Sequence, residues 1–253
     1  MTLSRSNRFD DFFAEDTYVF LKNLLYNYLL RKRAIRKCRQ GPHGDLILEV
    51  GSGVSPMVTD SDRIVYSELS LPALRMLKKC QGRGFFVVAA ATHLPFKESS
   101  FAEVVCSEVL EHLPEDRPAL REMARVLKTG GSLILTFPHR RRYFAIDDRF
   151  VSHFRRYELT EMEEHLREAG LNPVEIRKVL GPLEKLTMVA VVSVVTVLQC
   201  LADKREVREK AMTWRFIRFL FKWCNRLYCV PIWLDARISP RSLAAVILIR
   251  SVK

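Results

Sequence analysis

Short apolar runs alternate with helical segments between residues 45 and 138, and this alternation constrains the fold more than any other feature of the chain. Each run is almost continuously apolar, as expected for a strand that is buried on both faces. Buried strands separated by helices form a parallel, doubly wound sheet. The five runs are DLILEV (45–50), RIVYSEL (63–69), FFVVAAA (85–91), AEVVCS (102–107) and SLILTF (132–137).

Two helices are predicted around the later runs. Residues 117–128 are amphipathic and precede a Gly-Gly pair, which predicts a helix before the fifth strand. A second helix is predicted over residues 160–169, with Thr160 as its N-cap. Glu163 would close a capping box with Thr160, and Gly170 would follow the last turn.

The rest of the chain is arranged around this core. Residues 173–180 and 243–249 predict two more strands, whereas the segment between them does not continue the alternation. We therefore predict an α/β, doubly wound, Rossmann-like sheet with an N-terminal helix and a helical insertion before the last strand. The predicted parts are an N-terminal helical segment (1–44), the core (45–180), the insertion (181–242) and the final core strand (243–253).

The basic charge of the chain lies mainly outside the predicted core. The formal net charge is +12, yet residues 40–202 contain 20 basic and 21 acidic side chains. Residues 31–39 add six basic side chains and no acidic ones, and residues 203–226 add eight basic and three acidic ones. This distribution indicates that the appendages contact an anionic surface, either lipid or nucleic acid.

Three apolar segments of the appendages allow either membrane contact or packing. Residues 17–39 predict a helix with an apolar repeat that packs on the core, or serves as a lid or membrane contact. Residues 186–202 are uncharged but marginal in length for a span, so they either pack or enter a bilayer. The repeat of the first segment contains Leu21, Leu24, Leu25 and Tyr28.

The third segment, residues 214–228, combines an apolar stripe with a basic one and is expected to end at Pro231. This pattern predicts an interfacial helix or, alternatively, a lid helix that packs on the sheet. The apolar stripe contains Trp214, Ile217, Phe221, Cys224 and Tyr228, and the basic stripe contains Arg215, Arg218, Lys222 and Arg226.

Cysteine spacing and the first residues bear on metal chemistry and compartment. The six cysteines include no Cys-x-x-Cys pair and no His pair has zinc-site spacing, so no metal site is expected. Asp10, Asp11, Glu15 and Asp16 precede any apolar run, which argues against a signal peptide. We therefore expect a cytoplasmic protein, peripheral on the cytoplasmic face of the membrane if the appendages bind lipid.

The turn after the first strand has the features of a ligand site. In EVGSG (49–53), Gly51 and Gly53 permit positive φ and close approach of a ligand, before a helix expected to offer free N–H groups. Pro56 replaces the third glycine of the dinucleotide fingerprint. Glu68 ends the second strand, where a carboxylate suits the two hydroxyls of a ribose.

Five segments follow one another along the predicted core: ILEVGSG (47–53), YSELS (66–70), THLPF (92–96), FAEVVCSEVLEHL (101–113) and MARVLKTGGSLILTFP (123–138). In this order they resemble the successive motifs of class I S-adenosylmethionine-dependent methyltransferases, closest in style to the small-molecule ubiquinone/menaquinone branch. The resemblance covers about residues 45–180 and the last strand. It implies the seven-stranded family sheet, with antiparallel residues 243–249 beside the fifth strand, and S-adenosyl-L-methionine as methyl donor.

The resemblance also assigns a cofactor site. It implies that Glu49 and the glycines line the methionine part, that Glu68 holds the ribose and that Leu69 covers the adenine. Thr92 and Leu94 would flank the adenine edge, and Ser107 and Glu108 would face the region of methyl transfer. The implied set is Glu49, Gly51, Ser52, Gly53, Glu68, Leu69, Ala91, Thr92, Leu94, Ser107 and Glu108.

Two further expectations concern the affinity for the cofactor and the catalytic residues. Family members usually carry an acid at the position of Ala90, and loss of that hydrogen bond is expected to weaken cofactor binding by roughly 1.5–3 kcal/mol. A general base is needed only if the acceptor arrives protonated at oxygen or nitrogen. Candidates near the carboxyl edge of the sheet are His112, His139, His153 and Tyr157.

The expected function is methyl transfer to a hydrophobic or lipid-like small molecule, with residues 31–39 and 214–228 facing an anionic membrane. A nucleic-acid methyltransferase would also explain the basic flanks. However, members of the fold that methylate the exocyclic amine of a base often hold that amine with an acidic or Asn-Pro-Pro-Tyr-like segment after the fourth strand. Here that place reads SEVLEHLP (107–114). The third alternative is a catalytically degenerate, cofactor-binding or membrane-associated protein, which rests on Ala90.

Overall fold

A single sheet of seven strands organises the chain in a computed structural model, which describes residues 23–39, 44–201 and 214–253. The strand order is β3-β2-β1-β4-β5-β7-β6, and β7 runs antiparallel to both of its neighbours. The predicted doubly wound α/β sheet is confirmed, including the antiparallel last strand beside the fifth. The strands are β1 (Ile47–Val50), β2 (Ile64–Glu68), β3 (Phe85–Val88), β4 (Phe101–Ser107), β5 (Leu127–Pro138), β6 (Asn172–Leu180) and β7 (Val246–Val252).

Helices cover both faces of this sheet and bury two apolar clusters. Helices α3 and α5 contribute to the cluster on one face, and α1, α2 and α7 contribute to the cluster on the other. The helices are α1 (Tyr26–Cys38), α2 (Leu71–Gln81), α3 (Arg117–Val126), α4 (Ile146–Phe150), α5 (Leu159–Glu168), α6 (Pro182–Leu201) and α7 (Trp214–Ile238).

The connection from β1 to β2 corrects one expectation. Residues 51–63, all of which the structure describes, form turns and bends instead of the helix expected after the glycines. Side chains from elsewhere hold this loop: the Tyr28 hydroxyl donates to the Pro56 carbonyl at 2.8 Å, and the Tyr66 hydroxyl donates to the Val58 carbonyl at 2.8 Å. Tertiary contacts therefore replace the regular hydrogen bonds of a helix.

The starts of two elements also differ from the predictions. Helix α5 begins one residue before Thr160, because the Glu158 N–H donates to the Glu161 carboxylate at 3.2 Å, so Glu158 and Glu161 replace Thr160 and Glu163 as the capping pair. Gly170 follows this helix with φ +80°, as predicted. Strand β7 begins at Val246 because residues 241–243 form a 3-10 turn.

The N-terminal helix is shorter than predicted. The structure describes it from Tyr26, whose N–H donates to the Asn225 side chain of α7 at 3.3 Å, and Leu25 is its N-cap. This cap comes from a residue 199 positions away, so the local sequence could not show where the helix begins. The predicted residues 17–22, including Leu21, lie outside the described residues.

Three of the six basic side chains of residues 31–39 form ion pairs or hydrogen bonds within the protein. Arg31 pairs with Glu108 at 3.6 Å, Lys32 donates to the Pro56 carbonyl at 3.2 Å, and Arg39 pairs with buried Glu103 at 2.6 Å. The other three, Arg33, Arg36 and Lys37, are exposed.

The insertion folds as two long helices, and α7 continues through Pro231 to Ile238, so the expected end at Pro231 is wrong. Ile232 and Ala236 are buried, and the Asp235 carboxylate accepts a hydrogen bond from the Leu183 N–H at 2.9 Å. These contacts outweigh the one backbone hydrogen bond that proline removes. Across the described residues, neither α6 nor any other helix combines the length and apolar character needed to cross a membrane.

Candidate cofactor and acceptor site

The candidate site lies where the sheet changes direction. Strands β1 and β4 are parallel neighbours, and Val50 at the end of β1 is in register with Cys106 near the end of β4. The sheet continues from β1 to β2 and β3 on one side of this pair, and from β4 to β5 on the other side. In open α/β sheets, ligands bind at this switch point, outside the carboxyl ends of the strands.

The glycine turn brings the backbone close to its neighbour. Gly51 has φ +70° and its N–H donates to the Ser67 carbonyl at 2.8 Å. A Cβ atom at Gly51 would lie 2.4 Å from Cγ2 of Val109, so only glycine fits there without a shift. Gly53 also has positive φ, at +53°, and the buried Ser52 hydroxyl has no hydrogen-bond partner among the described residues. The turn therefore leaves one buried polar group available to a ligand.

Glu49 supports this turn from beneath. Its carboxylate is buried and accepts hydrogen bonds from the N–H groups of Met57 at 2.7 Å and Val58 at 3.0 Å. Burial raises the pKa of Glu49 to about 7, although these two hydrogen bonds act in the opposite direction. Both carboxylate oxygens thus bond to the loop that replaces the expected helix. The predicted contact with the methionine part of a cofactor stays a prediction.

Glu68 joins the glycine turn to the start of α2. One carboxylate oxygen accepts from the Gly53 N–H at 2.8 Å, and the other accepts from the Ser70 N–H at 3.0 Å. A carboxylate can accept about four hydrogen bonds, so each oxygen can also accept one from a hydroxyl group. Leu69, beside it, is 53% exposed, which leaves an apolar surface open next to a polar one.

The turn after β3 is anchored to α3. The Ala90 carbonyl accepts from the His93 N–H at 3.0 Å, and the Leu94 N–H donates to the Glu122 carboxylate at 2.8 Å. Leu94 is buried in the core and Ala91 packs partly against it, whereas Thr92 stays half-buried. A shallow cavity of about 580 Å³ lies here, lined by Thr92, His93, Leu94, Pro95, Pro118, Arg121 and Glu122.

The end of β4 carries the other two predicted residues. The Ser107 and Thr136 hydroxyls lie 2.8 Å apart, and Glu108 adopts φ +55°, a strained conformation for a residue other than glycine. One Glu108 oxygen pairs with Arg31, and the other is buried without a hydrogen-bond partner among the described residues. Strained backbone and an unsatisfied carboxylate oxygen are both typical of functional sites.

The four candidate bases separate into two groups. His112 and His153 lie together, with ring centroids 4.7 Å apart in an edge-to-face arrangement. His139 is buried, with its Nδ1 2.9 Å from the Ala244 carbonyl, and burial lowers its pKa. The fully buried Tyr157 hydroxyl donates to the Asp116 carboxylate at 2.6 Å, and burial raises its pKa strongly. Both side chains therefore make contacts within the protein, and their role as bases stays a prediction.

Sequence reasoning missed a buried ionic network beside His153. The Lys185 ammonium lies 2.7 Å from carboxylate oxygens of both Asp147 and Asp148, and Arg156 donates to Asp148 at 2.8 Å. Burial alone would raise the pKa of Asp148, but hydrogen bonds from His153 and Lys185 and the charge of Arg156 lower it. Lys185 lies 37 residues after Asp148, and the only sequence signal of the network is charge at positions that flank apolar residues.

Part of the core is similar to a known protein family. Residues 48–135 match the family model of the methyltransferase domain, and we refer to this part of the chain by that name. The match begins in β1 and ends in β5, so it contains the glycine turn, Glu68 and the end of β4. The predicted resemblance to class I S-adenosylmethionine-dependent methyltransferases is confirmed.

Curated relatives of this methyltransferase domain include quinone-type enzymes. A demethylmenaquinone methyltransferase of Paenarthrobacter aurescens is 34% identical over 96 residues, which is 38% of this chain and 38% of the relative. The ubiquinone/menaquinone biosynthesis C-methyltransferase UbiE of Enterobacter sp. is 30% identical over 119 residues, 42% of this chain and 47% of the relative. The chain thus spans less than half the length of these curated relatives.

Solved structures share the fold of the methyltransferase domain at low identity. Haemonchus contortus phosphoethanolamine N-methyltransferase 2, in complex with S-adenosyl-L-methionine, aligns with a TM-score of 0.59 at 17% identity, over 98% of this chain and 60% of its own. The [4+2]-cyclase SpnF aligns with a TM-score of 0.57 at 18% identity, over 90% of this chain and 81% of its own. These two proteins are named for different reactions, so the fold alone does not define the chemistry.

Proposed function

We propose that the chain binds S-adenosyl-L-methionine and transfers its methyl group to a hydrophobic or lipid-like acceptor at an anionic membrane surface. The observation that carries the cofactor part is the Glu68 carboxylate. It lies at the switch point of the methyltransferase domain and is held by two backbone N–H groups. It can still accept hydrogen bonds from hydroxyl groups. A ribose diol matches such a pair of acceptors.

The residues around Glu68 fit the other parts of the cofactor. The buried Ser52 hydroxyl, which has no partner among the described residues, can bond to the amino acid part. The exposed Leu69 side chain offers an apolar surface to the adenine ring. When bound, the cofactor supplies an electrophilic methyl group on a sulfonium. The protein then contributes mainly by positioning the acceptor and excluding water.

The membrane part of the proposal rests on α7, whose two sides are both apolar. The side that faces the protein includes Ile232 and Ala236, which are buried, and Tyr228, whose ring packs edge-to-face on Tyr26 at 5.1 Å. The opposite side is exposed and also apolar. We call it the outer face of α7, and it consists of Phe219, Trp223, Leu227, Val230, Leu234 and Ile238.

This outer face differs from the stripe predicted from the sequence. Of the predicted apolar stripe, Phe221 and Tyr228 are half-buried and Cys224 is exposed, while the side chains of Trp214 and Ile217 lie outside the described residues. Residues of the outer face are spaced by four, four, three, four and four positions, which keeps them on one side of a helix. An apolar side exposed to solvent is what an interfacial helix presents to lipid.

Basic side chains flank the outer face and favour an anionic lipid surface. Lys222, Arg226 and Arg237 are exposed along one flank of α7. The neighbouring helix α1 adds the three exposed basic side chains of residues 31–39. Each basic side chain near an anionic bilayer contributes about 1 kcal/mol of attraction. Four of the six residues of the outer face are aliphatic and cannot stack on bases, which favours lipid over nucleic acid.

Vesicle binding tests this part of the proposal. The full chain is expected to co-sediment with vesicles of phosphatidylcholine and phosphatidylglycerol, and less with phosphatidylcholine alone. Replacing Trp223 and Leu227 with serine should lower the partition constant at least about tenfold, because each apolar side chain buried in lipid contributes about 1.5–3 kcal/mol. Phe85→Ser removes an exposed apolar residue on the distant edge strand β3 and serves as the control.

The acceptor is tested by label transfer. With methyl-labelled S-adenosylmethionine and a bacterial lipid extract containing quinones, label should enter the organic phase. Transfer to RNA instead, or vesicle binding that Phe85→Ser weakens as much as the outer-face double variant does, would contradict the proposal. Cofactor binding without transfer to either substrate would favour the degenerate, non-catalytic alternative.

A further inference from the structure

Three metal-ligating side chains meet just beyond the end of β4. Glu111 and His112 lie on the 3-10 turn Leu110–His112, and His153 follows α4, 41 residues after His112. One ligand atom from each of the three lies within 4.8 Å of the others. The Glu111 Oε1 atom is 3.8 Å from the His153 Nε2 atom. The sequence suggested no metal site, because this fold-dependent grouping has no short spacing.

Glu111 gives the first independent indication of a ligand. Its side chain is fully buried, and among the described residues neither carboxylate oxygen accepts a hydrogen bond from another residue. A buried carboxyl group without partners is costly unless it binds a cation or a proton.

His153 gives the second indication, because its ring is already oriented. Its Nδ1 atom lies 2.9 Å from the Asp148 carboxylate, so Nε2 is the nitrogen that points towards Glu111. Asp148 is held in turn by Arg156 and Lys185. Histidines that bind metal ions typically have their second nitrogen bonded to a carboxylate in this way, which fixes the tautomer and the ring orientation.

We propose that Glu111, His112 and His153 form a binding site for a divalent transition-metal ion. Two imidazoles and one carboxylate suit Zn²⁺, Fe²⁺, Co²⁺ or Mn²⁺ and leave coordination positions open. Nitrogen and oxygen ligands at about 2.0–2.2 Å from one ion lie roughly 3.0–3.5 Å from each other, so the ligand atoms need to move inward by only about 1 Å.

The position of this site suggests what the ion would contact. Glu111 lies four residues after Ser107, which the resemblance assigns to the region of methyl transfer. An open coordination position there can bind an acceptor oxygen and lower the pKa of a hydroxyl group. This consequence rests on the proposed function, whereas metal binding itself does not. It would favour acceptors that carry a hydroxyl next to the methylated position.

Cobalt titration tests the site without cofactor or acceptor. The full chain, freed of metal with a chelator, should bind one Co²⁺ per chain and develop visible absorption bands, with Zn²⁺ displacing the cobalt. Glu111→Gln and His153→Ala should each weaken binding by at least about 100-fold, because each removes a direct ligand. Asp148→Asn, which disturbs only the orientation of His153, should weaken it by about 10–100-fold.

The control is His165→Gln, which changes a histidine on α5 outside the cluster and should bind Co²⁺ as the native chain does. Circular dichroism spectra and cofactor titration establish that each variant is folded. Lack of Co²⁺ and Zn²⁺ binding at millimolar concentration by the native chain would overturn the proposal. Binding that Glu111→Gln and His153→Ala leave unchanged would also overturn it, because the ion would then bind elsewhere on the chain.

Discussion

Replacing Gly51 with alanine is expected to lower the affinity for S-adenosylmethionine by at least about tenfold and the free energy of unfolding by about 2–4 kcal/mol. The added Cβ would lie 2.4 Å from Cγ2 and 3.2 Å from Cγ1 of Val109, in a turn with φ +70°. The turn must move away from the end of β4, and the cofactor contacts move with it. Isothermal titration with the cofactor and urea unfolding measure the two effects.

Gly82 provides a matched control for backbone strain. It has φ +66° at the end of α2, and a Cβ there would meet no atom within 4 Å. Gly82→Ala should therefore cost only the strain of positive φ, about 1–2 kcal/mol, and leave cofactor affinity unchanged. Adding Val109→Ala to Gly51→Ala removes both clashing methyl groups and should recover much of the affinity. Equal effects of the two glycine substitutions would contradict the close approach.

Replacing Lys185 with methionine is expected to lower the free energy of unfolding by about 3–5 kcal/mol, because it leaves two buried carboxylates without their shared cation. The Lys185 ammonium contacts both Asp147 and Asp148, and all three side chains are buried. This contact also ties the insertion helix α6 to the short helix α4 beside the site. Urea unfolding of the native chain and the variant measures the difference.

Two further variants separate charge from packing at Lys185. Lys222→Met changes an exposed lysine of the insertion and should alter stability by no more than about 0.5 kcal/mol. Asp147→Asn in the Lys185→Met background removes one of the two negative charges that Lys185 neutralises and leaves Arg156 to pair with Asp148, so the double variant should be more stable than Lys185→Met alone. If the double variant is less stable than either single variant, the loss comes from packing.

The sheet was predictable from the sequence because its strands are buried on both faces. Runs such as DLILEV and SLILTF need no partner to be recognised, whereas the place of the last strand beside the fifth was implied by the resemblance to methyltransferases. Element ends were less predictable, because they depend on distant side chains. The Tyr26 N–H bonds to Asn225 across 199 residues, and α7 passes through Pro231 because its other side is packed.

The candidate site likewise has one part that local sequence indicates and another part that depends on distant residues. Gly51 and Glu68 could be singled out because each directly follows or ends a predicted strand, and the structure places the Gly53 N–H 2.8 Å from the Glu68 carboxylate. Their contact with a cofactor stays a prediction. The cluster of Glu111, His112 and His153 and its support by Asp148 could not be read from spacing, because the loop after β5 must first fold back over the end of β4. The outer face of α7 was missed because the spacing of apolar residues along a helix does not show which apolar side packs on the protein.

Titration of the purified chain with S-adenosylmethionine and S-adenosylhomocysteine tests the central claim most directly. Glu68→Ala removes the acceptor proposed for the ribose together with the bonds to the Gly53 and Ser70 N–H groups, and Glu68→Gln keeps the shape while removing the charge. We predict micromolar binding of both ligands, abolished by Glu68→Ala and weakened at least about tenfold by Glu68→Gln. Failure of the folded native chain to bind either ligand, or undiminished binding by Glu68→Ala, would contradict the account.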